Sequence, residues 1–348
     1  MENLKRIIVT GGAGFIGSRL VKKLLSTTEF SILNIDKLTY AGTNHTHSNA
    51  VRSDRYQFFK ADISDKARIS EIINHFKPDA IINLAAESHV DRSISGPEVF
   101  LQTNIMGTFV LLEAAREYWE KLRGKNRESF TFYQISTDEV FGDLSSGAPA
   151  MVEEGRYNPS SPYSATKASA DHLVNAWYRT YGLPVKLSFC TNNYGPYQYP
   201  EKFIPLMINN AIQGKELPLY GDGSQIRDWL YVDDHVNAII SIMLNGKIGQ
   251  SYNIAGNNEI TNLEILNHLC ILLDQMMPSK ESYVDQIQFV QDRPGHDRRY
   301  ALDDGKLQRE LGWKPQVSLM SGLKLTIKWY LKNQIWIKNA LEHKTNGL

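Results

Sequence analysis

The sequence has no excess of charge of either sign, since 38 basic residues are matched by 38 acidic ones. A chain without a basic surface suits neither nucleic acid nor an anionic membrane, so any phosphate binding must be local. Its two cysteines, Cys190 and Cys270, are too few for a disulfide framework or a zinc site. No long apolar run occurs, and no apolar signal segment precedes the first strand pattern. We therefore expect a soluble, cytoplasmic protein that holds no metal.

Short apolar runs alternate with helical stretches along the first half of the chain. The runs include "RIIVT", "SILNID", "AIINLAA", "FTFYQIS" and "VKLSFC", and one intervening helix is predicted over 98–122. Strands made almost wholly of Ile, Val and Leu are buried on both faces, as in a parallel sheet covered by helices on both sides. The pattern predicts a doubly wound α/β domain over residues 1–190, with a return segment near 229–255. A smaller, mixed α/β domain is expected over 191–228 and 256–348.

A glycine-rich stretch, "TGGAGFIG", follows the first strand and precedes a helical pattern. Glycines at this spacing let a pyrophosphate approach the backbone N–H groups at a helix N-terminus, where a Cβ would intrude. Asp36 ends the next strand, where a carboxylate accepts from the adenosine ribose and repels a 2′-phosphate. We therefore expect a Rossmann-type domain that binds NAD. NADP remains the alternative, because Lys37 lies next to Asp36. The predicted contacts of this region are Gly11, Gly14, Phe15, Ile16, Gly17, Asp36 and Lys37.

Further strand ends are candidates for the same ligand. Asp62 and Ile63 follow "YQFFKA", where a carboxylate suits either an adenine amino group or the N-cap of the next helix. The stretch "NLAAES" ends the fourth predicted strand with small residues that let a cofactor backbone pass close. Thr103 is a candidate cofactor contact, with ordinary burial as the alternative. The predicted contacts here are Asp62, Ile63, Leu84, Ala85, Ala86 and Thr103.

The stretch "YSATKAS" places Tyr163 and Lys167 four residues apart, on one face of a predicted helix. A nearby ammonium, together with the positive charge of a nicotinamide, favours the phenolate and lowers the pKa of the tyrosine towards that of a general base. Because Y-x-x-x-K is common in helices, chance packing is the alternative. The position of the pair after "ISTDEVFG" and Pro162 favours the catalytic interpretation.

These motifs together resemble the extended short-chain dehydrogenase/reductase superfamily, which acts largely on nucleotide sugars. Finer stretches are similar to those of the dTDP-glucose 4,6-dehydratase family, in order from residue 5 to about 332: "NIDKLTYAGT", "AAESHVDRSI", "STDEVFG", "SPYSATKASADHLV", "NNYGPYQYPEKFIPLMI", "QIRDWLYVDDH" and "DRPGHDRRYALD". The resemblance implies a lyase that uses tightly bound NAD to oxidise C4 of the sugar. Water is then eliminated across C5 and C6, and the hydride returns to C6.

The resemblance also assigns the catalytic groups. It makes Asp138 the acid that protonates the leaving hydroxyl, Glu139 the base at C5, and Thr137 a hydrogen-bond partner of O4 that assists Tyr163. From sequence position alone, a solvated loop pair or a helix cap is the alternative for the two carboxylates. Consecutive residues of a regular strand point to opposite faces. Both carboxyls can therefore reach one sugar only if the strand ends by residue 136 or 137.

A nucleotide diphosphate is expected in the second domain. There Arg227 and Lys202 supply positive charge, and aromatic or peptide planes can enclose a pyrimidine. The resemblance implies substrate contacts at Ser88, Thr137, Asn192, Lys202, Phe203, Pro218, Tyr220, Arg227, Asn262, Arg293 and His296. The arginines of "DRPGHDRR" are alternatively a solvated basic face. Asn193 is assigned to the nicotinamide side.

Two predicted helices, 98–122 and 164–181, are richer in aromatic residues than one face against a sheet requires. The resemblance implies that such helices pair across a dimer axis into a four-helix bundle, so a homodimer is expected. Core packing is the alternative for each aromatic residue taken singly.

Three rival functions share parts of this pattern. A UDP-glucose 4,6-dehydratase keeps every catalytic group and differs only in the base pocket. A nucleotide-sugar 4-epimerase shares the glycines, Tyr163 and Lys167, but it needs no acid–base pair for elimination. A non-enzymatic NAD sensor keeps the dinucleotide fold and typically loses the tyrosine or the lysine.

Overall fold

The computed structural model describes residues 5–40, 42 and 53–345, without the side chains of 343–345. Residues 41 and 43 of the "NIDKLTYAGT" motif lie outside the described residues, as do the two ends of the predicted domains, 1–4 and 346–348.

A seven-stranded parallel sheet forms the centre of the fold, in the strand order β10-β6-β5-β4-β1-β2-β3. Its strands are β1 (Arg6–Thr10), β2 (Ser31–Asp36), β3 (Tyr56–Lys60), β4 (Ala80–Asn83), β5 (Thr131–Thr137), β6 (Val185–Cys190) and β10 (Ser251–Ile254). The remaining strands form two smaller sheets, in the orders β11-β9-β7 and β12-β8. They are β7 (Asn192–Tyr194), β8 (Leu217–Tyr220), β9 (Ile226–Tyr231), β11 (Glu259–Thr261) and β12 (Ile287–Val290).

Helices cover both faces of the central sheet and pack around the smaller sheets. In chain order they are α1 (Phe15–Thr27), α2 (Lys66–Phe76), α3 (Val90–Ser95), α4 (Thr108–Trp119), α5 (Gly124–Ser129), α6 (Pro162–Tyr181), α7 (Phe203–Ile212), α8 (Val232–Asn245), α9 (Asn262–Met276), α10 (Gly305–Leu311), α11 (Leu319–Lys332) and α12 (Gln334–Thr345). A helical turn, Glu98–Phe100, and a π-helix, Leu101–Gly107, lead into α4. Short 3-10 helices span Asp138–Phe141 and Tyr283–Gln286.

The alternation of side chains along each central strand builds two apolar layers. Ile7 and Val9 of β1 pack in one core, which includes buried residues of α1 and α8. Ile8, between them in sequence, packs in the other core with residues of α2, α4 and α6. Successive residues of a strand point to opposite faces, so this sheet is buried on both sides. The predicted fold class, a doubly wound Rossmann-type sheet with a smaller mixed α/β part, is confirmed.

The later part of the chain contributes to both regions. α8 packs against α1, and β10 pairs with β6 at one edge of the central sheet. A separate apolar core surrounds the three-stranded sheet and contains buried residues of α7, α9 and α11. The division at 190, with a return near 229–255, stays a prediction about domain boundaries.

Two predicted elements differ from the structure. The helix expected over 98–122 is wrong in form, because it begins with a single turn, widens into the π-helix and ends at Trp119. β4 ends at Asn83, so "LAAES" is a loop rather than the end of a strand. The predicted end of β5 is confirmed: the strand stops at Thr137, and a 3-10 helix begins at Asp138.

Candidate active site

Two adjoining cavities lie at the carboxyl ends of the central strands, and both are lined by Ser88, Gln198, Glu201 and Lys202. The first cavity brings together most of the predicted cofactor contacts: Gly11, Gly14, Phe15, Ile16, Gly17, Asp36, Lys37, Ile63, Leu84, Ala85, Ala86, Thr103, Tyr163 and Lys167. The second brings together nearly all the predicted substrate contacts: Ser88, Asn192, Lys202, Phe203, Pro218, Tyr220, Arg227, Asn262, Arg293 and His296. Asp62 and Thr137 line neither cavity, and Asn193 lines the second rather than the first.

The glycine-rich loop has the shape of an anion cradle. Gly11 has a φ of +70°, and a Cβ there would lie 2.8 Å from the Ala85 Cα. A Cβ on Gly17 would overlap the Gly11 carbonyl oxygen, so close backbone packing requires both glycines. Gly14 is the N-cap of α1 and supplies no side-chain cap. The first N–H groups of α1 therefore lie beside the cavity without a capping side chain, as an anionic group requires.

The acidic residue at the end of β2 holds the loop in place. The Asp36 carboxylate accepts hydrogen bonds from the backbone N–H groups of Ala13 (3.0 Å) and Leu38 (2.8 Å). Next to it, the Lys37 ammonium donates to the Thr103 hydroxyl at 3.1 Å. Asp36, Lys37 and Thr103 thus form one connected wall of the first cavity.

Asp62 lies behind this wall rather than in it. Its carboxylate accepts from the backbone N–H of Ser64 at 2.9 Å and lies 3.4 Å from the Lys37 ammonium. The N-cap of α2 is Asp65, so Asp62 is not the helix cap considered from the sequence. Its expected contact with an adenine stays a prediction.

The π-helix fixes the loop after β4. The Asn104 side chain accepts from the Glu87 N–H at 2.9 Å and donates to the Glu87 carbonyl at 3.0 Å. It also donates to the Thr166 hydroxyl at 2.9 Å, which ties the π-helix to α6. π-Helical turns often mark functional sites. Here the turn holds Thr103 at the first cavity, together with the polar residues that follow Ala86.

The tyrosine and the lysine are buried on one face of α6. This helix begins with a capping box between Ser161 and Ser164 and a proline at its first position. Tyr163 is 8% exposed and Lys167 is 5% exposed. The Lys167 ammonium donates to the Ile135 carbonyl at 2.7 Å, so it is held against the end of β5.

The protein's own groups shift the pKa of Tyr163 upwards, whereas the lowering predicted from the sequence also counts the charge of a bound nicotinamide. Burial, followed by the charges of Glu139 and other nearby acidic groups, raises the pKa of Tyr163 well above its ordinary value. A hydrogen bond with Thr137 lowers that pKa and only partly offsets the other effects. Lys167 points to Ile135 instead, and burial lowers its own pKa.

The two adjacent carboxyls lie where β5 gives way to the 3-10 helix. The Thr137 hydroxyl donates to Asp138 Oδ1 at 3.1 Å and accepts from the Glu139 N–H at 3.3 Å. Asp138 is 4% exposed, and its Oδ2 has no hydrogen-bond partner among the described residues. Glu139 is only partly buried and lines the second cavity. The two carboxyls therefore have different environments although they are neighbours in the chain.

Those environments separate the two pKa values. Burial, reinforced by the charge of Glu139, raises the pKa of Asp138 well above its ordinary value. Burial also raises the pKa of Glu139, but Arg293, Lys202 and Arg227 oppose it. Glu139 is the carboxyl that faces three cations, so it ionises first and leaves Asp138 as the protonated partner.

Positive charge gathers along the second cavity. Arg227 is 5% exposed, donates to the carbonyls of Ile226 (2.8 Å) and Asp297 (2.9 Å), and forms no ion pair with a carboxylate within the described part of the chain. Lys202 donates to the Ser88 carbonyl at 2.7 Å. The Arg227 guanidinium also lies over the Tyr300 ring, 4.4 Å from its centroid. A buried cation held by carbonyl oxygens and a ring face is suited to an anionic ligand.

The arginines of "DRPGHDRR" have separate roles. Arg293 lines the second cavity and donates to the Asp91 carboxylate at 3.0 Å. Arg299 is paired with Glu259 at 2.7 Å and does not line the cavity. A solvated basic face is therefore wrong for Arg293. Opposite it, the rings of Phe203 and Trp229 stack with centroids 6.3 Å apart and form an aromatic wall.

Comparison with known proteins agrees with this geometry. The model of the GDP-mannose 4,6 dehydratase family matches residues 8–326. The dTDP-glucose 4,6-dehydratase of Shigella flexneri is 54% identical over 343 residues, which cover 96% of this chain and 95% of that protein. The chain belongs to the dTDP-glucose 4,6-dehydratase family.

Two solved structures of the dTDP-glucose 4,6-dehydratase family superpose closely on the chain. The enzyme from Streptomyces venezuelae, solved with NAD bound, is 41% identical with a TM-score of 0.87 and covers 96% of this chain and 99% of its own. The Bacillus anthracis enzyme, in complex with NAD, is 42% identical with a TM-score of 0.85 and covers 97% and 99%. The predicted family is confirmed.

Several residues of this dehydratase site were not predicted. Tyr40 and Glu201 line the first cavity, Tyr300 lines the second, and Asp171 is buried one turn beyond Lys167. The signal for Asp171 was its four-residue spacing from Lys167, which continues the face of Tyr163. The other three lie within the family-like stretches "NIDKLTYAGT", "NNYGPYQYPEKFIPLMI" and "DRPGHDRRYALD", but nothing in those stretches singled out these residues from their neighbours.

The described residues contain neither a metal-binding group nor a membrane-spanning helix. Over residues 5–40, 42 and 53–345, the side chains of His, Cys, Asp and Glu form no group suited to a metal ion. In the same part of the chain, every helix is too short or too polar to cross a membrane.

Replacing Asp138 by asparagine should stabilise the fold at neutral and alkaline pH. The raised pKa means that folded Asp138 keeps a proton that the unfolded chain releases above about pH 4. The contribution of Asp138 to the stability of the wild type is therefore fully present below that pH, and it is lost as the pH rises through the pKa of Asp138 in the folded protein. The unfolding temperature of Asp138→Asn should exceed that of the wild type by a margin that grows between about pH 5 and about pH 8, measured by calorimetry.

The matched control is Asp54→Asn, because Asp54 is an exposed aspartate. Its margin over the wild type should not change across the same pH interval. An equal margin for Asp138→Asn at both pH values would contradict a raised pKa of Asp138 in the folded protein.

Proposed function

We propose that the protein is an NAD-dependent dTDP-glucose 4,6-dehydratase that forms dTDP-4-keto-6-deoxy-glucose for deoxysugar synthesis of the rhamnose type. The observation that carries this proposal is the adjacent Asp138–Glu139 pair, with separated pKa values, beside the Tyr163–Lys167 face. An oxidation at C4 alone needs only the tyrosine and the lysine. The carboxyl pair adds the acid and the base that an elimination requires.

The first cavity fits a dinucleotide. The N-terminus of α1 would hold the pyrophosphate, Asp36 the adenosine ribose, and Lys167 the nicotinamide ribose side. Gly11 and Gly17 supply the close backbone approach that the loop needs. NAD bound there would supply the hydride acceptor for the oxidation at C4 and the hydride donor for the later reduction at C6. The NAD-bound Streptomyces venezuelae and Bacillus anthracis relatives support this assignment.

The side chains divide the proton transfers among them. Tyr163, which is hydrogen-bonded to the Thr137 side chain, takes the proton of the C4 hydroxyl. Glu139, whose pKa is raised by burial against the opposing effect of three nearby cations, acts as the base that takes the C5 proton once C4 is a ketone. Asp138, whose pKa is raised well above its ordinary value, gives its proton to the departing C6 hydroxyl, and water leaves. When the hydride is returned at C6, Glu139 gives its proton back to C5, which completes the product. The charge on Lys167 opposes the cost of forming a phenolate in a buried site.

The second cavity suits the nucleotide diphosphate. Arg227, Lys202 and Arg293 offer positive charge along one wall. Phe203 and Trp229 offer an aromatic wall for the base. Ser88 and Lys202 line both cavities, so a sugar held by its diphosphate in the second can place its hexose beside Tyr163 in the first.

The rival functions fit less well. A 4-epimerase does not need the acid and the base that Asp138 and Glu139 provide. A non-enzymatic sensor does not need Tyr163 and Lys167. A UDP-glucose 4,6-dehydratase uses the same catalytic groups and is distinguished only by the nucleotide. The relatives named above are dTDP-glucose enzymes, which favours thymidine. The cytoplasmic location expected from the sequence stays a prediction.

Incubation with a nucleotide sugar tests the reaction directly. The purified protein, loaded with NAD, should convert dTDP-glucose to a product lighter by one water, and UDP-glucose should react much more slowly. Mass spectrometry of the separate incubations measures both. Unchanged mass with both sugars would contradict the dehydratase, and a product of unchanged mass with galacto configuration would establish an epimerase.

Replacing Glu139 by glutamine should abolish the elimination and leave the fold intact. The variant keeps the size of the side chain but loses the base, so turnover should fall by at least about 100-fold. Exchange of the C5 proton with deuterated solvent, followed by NMR, should cease while NAD remains bound. The control Glu128→Gln, at an exposed position, should turn over normally. C5 exchange at the wild-type rate in Glu139→Gln would show that another group is the base.

We further propose that the protein is a homodimer through a four-helix bundle. The segment from Glu98 to Trp119 and helix α6 carry exposed apolar side chains, with exposed fractions of 49% for Leu101, 44% for Met106 and 46% for Tyr181. Solvent exposure of so many large apolar groups on neighbouring helices is costly, and a second copy of the same face covers them.

Leu101→Lys should weaken this dimer, because it places a charge where apolar side chains meet. Sedimentation should then report about half the wild-type mass at low protein concentration. Ile335→Lys is the control, since Ile335 is 78% exposed but lies on α12, away from this face. A wild-type protein that sediments as a monomer, or a Leu101→Lys variant that remains dimeric, would contradict this interface.

A further inference from the structure

Asp171 is a buried acid that the proposed mechanism does not use. It is 0% exposed and follows Lys167 by four residues, as Lys167 follows Tyr163. All three therefore lie on one face of α6, on successive turns. A fully buried carboxyl is rare in a protein unless it is paired or has a function.

The contacts of Asp171 and Lys167 anchor the two groups side by side on β5. The Ser136 hydroxyl donates to Asp171 Oδ2 at 2.5 Å. The Lys167 ammonium donates to the carbonyl of the preceding residue, Ile135, at 2.7 Å. Two successive residues of the strand thus hold two successive turns of the helix. The next residue of the strand, Thr137, is the first of the three proposed catalytic residues Thr137, Asp138 and Glu139.

Few other charges act on this pair. Besides Asp171, the other titratable group that acts on Lys167 is Cys190 of β6. Asp171 is influenced by Lys167, Ser136 and Tyr157, and Tyr157 approaches from the loop before α6. Lys167 and Asp171 make no direct ion pair among the described residues, since the ammonium is turned to Ile135. Their attraction acts through space closed to water, where screening is weak.

We propose that Asp171 is the counter-ion of Lys167, a positioning residue that keeps the lysine protonated beside Tyr163. The inference rests on the proposed function, because it concerns the pair that serves the oxidation at C4. Burial lowers the pKa of Lys167, and the negative charge of Asp171 opposes that fall. Burial raises the pKa of Asp171 to about 7, and Lys167 opposes that rise. Each charge therefore favours the other.

The pH dependence of turnover tests the proposal. In Asp171→Asn the hydrogen bond from Ser136 can persist but the charge is gone, so Lys167 should lose its proton at lower pH. The alkaline limb of the kcat profile should move down by about one pH unit or more, with the KM for dTDP-glucose and the amount of bound NAD unchanged. An alkaline limb at the wild-type position would overturn the proposal.

Ser136→Ala is the matched control. It removes the hydrogen bond to Asp171 and retains the carboxylate, which is ionised at alkaline pH. Its kcat should fall at every pH, and its alkaline limb should stay in place. An alkaline limb shifted equally in both variants would overturn the proposal. It would mean that the packing of α6 on β5, and not the charge of Asp171, determines the pKa of Lys167.

A second measurement needs neither turnover nor a folded variant at residue 171. In wild-type protein labelled with ¹³C at the lysine Cε, the signal of Lys167, assigned by its loss in Lys167→Arg, reports its charge. The signal should show an ammonium at about pH 8 and should shift near pH 7 as Asp171 titrates. A neutral Lys167 at about pH 8 would overturn the proposal, whether or not the protein dehydrates a sugar.

Discussion

The end of β5 at Thr137 is the constraint on which the site depends. Within a strand, Asp138 and Glu139 would point to opposite faces of the sheet, one into each apolar core. The 3-10 helix that begins at Asp138 turns both carboxyls away from the sheet. The Thr137 hydroxyl fixes this turn, since it donates to the Asp138 carboxyl and accepts from the backbone N–H of Glu139. An acid and a base can therefore occupy adjacent positions in the chain.

Their separate protonation states depend on the other part of the chain. Asp138 and Glu139 share a backbone turn, but Glu139 alone has Arg293 and Lys202 among the charges that act on it. Those cations come from α7 and from the loop after β12, far along the sequence. In the proposed function, the residues expected to bind the nucleotide therefore also oppose the rise in the pKa of the expected base.

Much of the fold and the site could be predicted because the signals are local. The glycine loop, Asp36, Tyr163–Lys167 and the carboxyl pair are each short patterns at the ends of strands. The π-helix could not be predicted, because Asn104 owes its position to bonds with residues 17 and 62 positions away. The protein's own groups raise the pKa of Tyr163, because burial and nearby acidic groups outweigh the rest, so the predicted lowering depends on the positive charge of a bound nicotinamide.

The shared wall between the cavities is compatible with the proposed use of one bound cofactor for both hydride transfers. Ser88 and Lys202 line both cavities, so the cavities adjoin where the proposed reaction needs a hexose beside a dinucleotide. Lys202 also donates to the Ser88 carbonyl, which ties the loop after β4 to α7 across the junction. In the proposed reaction, a cofactor held beside the sugar would need to reach only C4 and C6 of that one sugar. Tyr163, Asp138 and Lys167 are all nearly buried, so in the proposed reaction a ketone formed beside them would be shielded from water during the elimination.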